Sequence, residues 1–208
     1  MSGPDVVLCL AHRRWSCYYD RSQHLMSECA RQRRTIFVEE PELDTVAPDV
    51  ELSETRTGVI TLIPHLPPGL TLQQSERAQR RAVDFVLAHY GCFHPVLWYY
   101  TPKAIGFTDH IDASAIVYDW LEEPPAFAND GASRVGHREQ HLLDRAHVVF
   151  TDIVDNDGFP DHRPLLHHNI HAFSGEPSWS ETWRQMWSHV ESAIEMRHEQ
   201  GNVVGSFS

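Results

Sequence analysis

Val6-Val7-Leu8-Cys9-Leu10, running straight into Ala11-His12-Arg13-Arg14-Trp15, is the stretch on which the reading of this chain turns. Five apolar residues in succession suit a strand covered on both faces, because neither face then meets water. No basic leader precedes the run and arginines follow at once, so it is expected to be a first strand and not a secretory signal. A cytoplasmic protein is the corresponding expectation. Downstream, Arg21 to Gln32 places Leu25, Met26 and Cys29 on one side of a helix. Thr35-Ile36-Phe37-Val38 then forms a second strand, over Arg34 to Glu39, ended by Glu40-Pro41. Strand–helix–strand units of this kind are nearly always right-handed, with their strands parallel.

The alternation continues. Val50 to Ile63 reads as a hairpin or a pair of short strands about a Thr57-Gly58 turn, closed by Pro64, Pro67, Pro68 and Gly69. Thr71 to Tyr90 carries Ala78, Ala82, Phe85 and Val86 at helical spacing, and Gly91 supplies the stop. Strands are expected at Pro95 to Tyr100, Ala115 to Tyr118 and His147 to Thr151, with a helix over Arg134 to Arg145. A last helix, Ser178 to His198, sets Trp179, Trp183 and Trp187 four apart on one stripe, the pattern of a helix packed back on the sheet. The expected fold class is therefore α/β: a single Rossmann-like, doubly wound, mostly parallel sheet with helices on both faces. The expected divisions are a domain over 1–152, a loop over 153–177, a helix over 178–200 and a flexible tail over 201–208.

Composition narrows the function. The 208 residues are 41% hydrophobic and 22% charged, as in a globular domain. No apolar run reaches the roughly 20 residues of a membrane span. A formal charge of −12 argues against nucleic acid, which needs a concentrated basic face. The four cysteines are widely spaced and form no C-x-x-C pair, so neither a zinc ribbon nor a dithiol site is expected. P-loop, dinucleotide-fingerprint and nucleophile-elbow motifs are absent, and no cofactor is expected.

Several blocks together resemble one family. Cys9 to Trp15, Arg21-Ser22-Gln23-His24-Leu25-Met26, Phe37-Val38-Glu39-Glu40-Pro41, Pro64 to Gly69, Val96 to Pro102 and Val117-Tyr118-Asp119 are similar, in order, to the acceptor-side half of bacterial GT-B glycosyltransferases. Ser178-Trp179 with Trp183 resembles that family's terminal helix, which crosses back onto its N-terminal lobe. The chain departs from the family pattern at Asp20 and Ser22, where the family carries glutamine and proline, and at Glu122, where it carries aspartate. The resemblance implies a second lobe that grips the nucleotide-sugar, yet Pro164 to Pro177 is far too short to hold one.

Ligands of open α/β sheets sit at the carboxyl ends of the strands, so residues just past each strand are the candidates. His12 and Asp119 are the candidate catalytic pair, since a carboxylate or imidazole near an acceptor hydroxyl can assist proton transfer. Arg13, Arg14, Trp15, Arg21, His24, Tyr100, Lys103, Glu122 and Glu123 are the candidate ligand-binding residues. Cations clamp phosphate and aromatics stack on sugar faces. No metal is expected. If one binds, Asp161, His167, His168 and His171 form the alternative set, while His137 and His141 share a helix face without a His-Glu-x-x-His order.

The resulting expectation is a glycosyltransferase-like protein without its nucleotide-sugar lobe. It would bind a glycan or other polar acceptor, or a partner supplying the missing lobe, in polysaccharide or glycoconjugate synthesis, and be inactive alone. Two alternatives stand beside it: a small enzyme repurposing the acidic and histidine rim, and a non-catalytic oligomeric scaffold. For a homodimer, the tryptophan stripe and Phe159, Leu165, Leu166 and Phe173 are the candidate surface.

Overall fold

The computed structural model describes residues 5–17, 20–120, 132–151, 170–172 and 178–205, with the backbone alone at 132–135, 170–172 and 200–205. Its strands are β1 (Val6–Leu10), β2 (Arg34–Val38), β3 (Asp49–Glu54), β4 (Ile60–His65), β5 (Val96–Tyr99), β6 (Ala115–Trp120), β7 (Val148–Thr151) and β8 (Ile170–Ala172). The helices are α1 (Arg21–Ala30), α2 (Leu72–His89), α3 (Ile105–Thr108), α4 (Ala132–Arg145) and α5 (Trp179–Gly205), with a 3-10 turn at Pro102–Ala104.

All eight strands form one sheet in the order β3-β4-β2-β1-β5-β6-β7-β8. Only β3 runs antiparallel, against β4, so Val50 to Ile63 is part of a hairpin; Gly58 takes a φ of +83° in its turn. A left-handed backbone there is what glycine alone adopts at little cost.

The apolar run of β1 divides between two cores, as a pleat requires. Val6, Leu8 and Leu10 face one core with Val83 and Val86 of α2, Phe107 of α3 and Leu142 of α4. Val7 and Cys9 face the other, with Leu25, Met26 and Cys29 of α1 and Trp183, Met186 and Trp187 of α5. Helices therefore cover both faces of a mostly parallel sheet, and the fold is α/β and Rossmann-like.

Local chemistry explains the helix ends. At α1, the Asp20 carboxylate accepts the Ser22 N–H at 2.8 Å while the Gln23 side chain accepts the Asp20 N–H at 2.9 Å. This is a capping box, and it uses a Ser22 donor that proline would lack. At α2, Thr71 and Gln74 repeat the arrangement. Gly91, with φ +62°, closes that helix as its N–H reaches the Ala88 carbonyl at 3.0 Å.

Three expectations change. Helix α5 continues to Gly205, so 201–205 is helical where a flexible tail was expected; 206–208 lie outside the described residues. Strand β8 falls inside the segment expected as loop, pairing parallel with β7 in the register Phe150↔His171. Trp183 and Trp187 are 2% and 4% exposed, so these two belong to the core and offer no dimer surface. Phe159, Leu165, Leu166 and Phe173 lie outside the described residues.

Candidate functional site

The strand order places β2 on one side of β1 and β5 on the other, so the chain reverses its winding direction between β1 and β5. The carboxyl ends of strands at such a switch point diverge and leave room for a ligand. A crevice of about 390 Å³ opens there, within the size range of small-molecule sites. Ala11 and His12 line it from the end of β1, and Glu39, Glu40 and Pro41 from the end of β2. Thr101, Lys103 and Ala104 enter from beyond β5, Leu72, Glu76 and Gln79 from α2, Phe107 from α3, and Arg138 from α4.

Its walls are braced by charge. Arg138 pairs with Glu76 and donates to the Lys103 carbonyl at 3.2 Å, tying α4 to α2 and the 3-10 turn. Gly106 makes this pairing possible: a Cβ there would lie 2.9 Å from Glu76 Cδ and 3.2 Å from Arg138 Cζ. On the opposite wall Glu39 is almost fully buried. Burial raises its carboxyl above the usual range, opposed by the Trp15 N–H at 3.2 Å and by Arg14 at 3.5 Å. His12 accepts from Arg13 Nε on its Nε2 at 3.2 Å, which assigns the imidazole proton to Nδ1. To take a proton through Nε2, His12 must first release Arg13.

Of the expected site residues, His12 and Lys103 line the crevice. Arg13 and Arg14 stand behind it, paired with Asp20 at 3.4 Å and with Glu39 and Glu42 at 3.5 and 3.0 Å. The others are drawn inward. Asp119 is fully buried, and Arg21 grips it with Nη2–Oδ1 at 3.1 Å and Nε–Oδ2 at 3.4 Å. Desolvation raises the Asp119 carboxyl above its usual range, with Arg21 opposing. Tyr100 lies beside it, its phenol pushed well up by burial and then by the Asp119 charge. Trp15 packs edge-on against Phe37, with ring centroids 5.0 Å apart. His24 stacks on Trp179 at 4.5 Å, locking α1 to α5. Asp119 and His12 thus do not share the crevice. Glu122, Glu123, Asp161, His167 and His168 lie outside the described residues, as does the side chain of His171.

The sequence reading passed over Glu39, Glu40, Glu76, Gln79 and Arg138. Glu39 and Glu40 directly follow β2 and obey the same strand-end rule. The other three come from helices α2 and α4, whose convergence no local pattern announces. Among the described residues one group has donor atoms within 4.8 Å of one another, as a metal ion needs: Glu42, Asp44 and His65. His65 Nδ1 lies 2.8 Å from Asp44, its Nε2 lies 3.5 Å from Glu51, and Glu42 is held by Arg14.

No protein-family model and no curated protein matches the chain. Solved structures do. One chain of sucrose-phosphate synthase from Thermosynechococcus elongatus superposes with a TM-score of 0.60 at 11% identity, over 90% of this protein and 98% of that chain. The fold resembles one lobe of the GT-B glycosyltransferases. A second sucrose-phosphate synthase structure from the same organism matches with a TM-score of 0.51 at 12% identity, over 70% of this protein but 42% of that chain. This GT-B-like chain therefore spans about two-fifths of the larger enzyme chain. Identity this low speaks for the fold alone. No helix among the described residues is long and apolar enough to cross a membrane.

Proposed function

We propose that this chain is a glycosyltransferase-like acceptor lobe that holds a glycan or other polar acceptor in the β1–β5 crevice and is inactive alone. The observation that carries the reading is the placement of His12 and Lys103 at the carboxyl ends of β1 and β5, at the switch point. Glu40 and Gln79 add hydrogen-bonding groups, and Phe107 and Leu72 add the apolar surface against which a sugar ring packs.

Activating a nucleotide-sugar requires groups that stabilise the departing diphosphate, usually the largest catalytic term. On this reading those groups come from a donor lobe facing the crevice. The reading carries a cytoplasmic location and a role in polysaccharide or glycoconjugate synthesis. A homodimer is a further part of it. Light scattering reads the mass directly, and a monomer at micromolar concentration removes the dimer.

The acceptor reading is tested by amide chemical-shift mapping with a panel of neutral oligosaccharides. Saturable shifts at Ala11, Thr101 and Lys103, weakened by Lys103→Ala, support it. A panel that leaves those amides unmoved counts against it.

A further inference from the structure

A second cavity, of about 400 Å³, opens at the opposite, amino-terminal edge of the sheet, and it shares no lining residue with the crevice. It lies among the Asp109–Ala113 turn, the starts of β6 and β7, the end of α4, and α5 at Arg197. Arg197 reaches in from α5, donating Nη1 to the Ala113 carbonyl and, at 3.3 Å, to the Ser114 carbonyl. Carbonyls fix the guanidinium without neutralising it, and Arg197 has no carboxylate partner among the described residues. Arg145 gives its Nη1 to the carboxylate and the carbonyl of Asp109. His147 accepts the Ile116 N–H on Nδ1 at 2.9 Å, so its neutral ring carries the proton on Nε2.

The acidic members of the wall are already engaged. Asp109 is shared by Arg145 and His141, the latter at 3.5 Å, and Asp112 faces His94 at 3.3 Å. His110 is turned to Asp84 at 2.6 Å. Of the two guanidinia in the wall, Arg145 is paired with Asp109, and Arg197 lacks a carboxylate partner among the described residues. Among the described residues only the Nη1 atoms of both guanidinia are engaged, which leaves Nε and Nη2 in a fork geometry suited to oxyanions. Little apolar surface is present to hold anything else.

We infer that this amino-edge cavity binds a phosphate group, clamped by Arg197 and Arg145. The site stands independently of the acceptor reading, since nothing in it touches the crevice.

Titrating the full chain with inorganic phosphate at constant ionic strength, followed by amide shifts, tests this. The expected result is a saturable response at Ala113, Ser114, Ile116 and His147, with Thr101 and Lys103 unmoved. Arg197→Met weakens binding at least tenfold, while Arg138→Met leaves it unchanged. Where Arg197→Met does not fold, Arg197→Lys serves, keeping the charge but losing the fork and weakening binding severalfold. A response equalled by chloride, one retained in the Arg197 variants, or none at all overturns the inference.

Discussion

Arg21, on the first turn of α1, lays its guanidinium along both carboxylate oxygens of Asp119, near the end of β6, at 3.1 and 3.4 Å. The carboxylate is fully buried and the guanidinium nearly so. The pair bolts α1 to the centre of the sheet. It also takes Asp119, the residue the sequence nominates as a catalytic carboxylate, out of reach of an acceptor in the crevice.

Removing one partner strands the other. Arg21→Met is expected to cost about 3–5 kcal/mol, the usual consequence of leaving a buried charge unpaired, measured by urea denaturation. The double variant Arg21→Met/Asp119→Asn recovers much of that loss. Asp119 already has a raised folded-state pKa, and losing Arg21 raises it further. An acid shifted upward on folding costs stability above its folded pKa, and the cost disappears below its unfolded pKa. The deficit of Arg21→Met should therefore shrink as pH falls through the raised carboxyl range, and Asp119→Asn should abolish that dependence.

Gly106→Ala separates the crevice from the fold. The added Cβ displaces the ends of two flexible side chains, Glu76 and Arg138, and meets no backbone. Stability should change by less than about 1 kcal/mol, helped by the better helix propensity of alanine. The crevice wall should shift, seen as altered amide shifts at Lys103 and Thr101 and a severalfold change in oligosaccharide affinity. An unchanged crevice spectrum would contradict the bracing role given to the Glu76–Arg138 pair.

His65 supplies a pH test of the opposite sign. Its hydrogen bond to Asp44 raises the imidazole above its ordinary value. A base shifted upward on folding contributes stability that is fully present below its unfolded pKa and lost as pH rises through the folded one. Imidazole titration by NMR should give a value above the usual range, and Asp44→Asn should lower it. The effect on stability is small, since the pair is open to solvent.

The same features show how far the sequence could be read. Apolar runs such as Val6–Leu10 and Ile36–Val38 identified buried strands because a strand covered on both faces shows little alternation. Capping residues at Thr71 and Gly91 marked α2 to within a residue. Strand β8 escaped notice because its three residues sit among loop-forming neighbours at the edge of the sheet. His12 and Lys103 were legible because position after a strand implies position at the crevice. Arg21 and His24 look like ligand residues in one dimension. They prove to be committed to Asp119 and Trp179 through contacts more than 90 residues apart in sequence for the ion pair. Arg138 and Glu76, 62 residues apart, meet only once the sheet has formed.

The central claim is that this half-cleft holds an acceptor but cannot by itself grip a nucleotide-sugar. Calorimetric titration of the isolated chain with a panel of nucleoside-diphosphate sugars tests it most directly. The account predicts no heat of saturable binding in the micromolar range. Tight, stoichiometric binding of any nucleotide-sugar that Lys103→Ala or Arg138→Met weakens would contradict it.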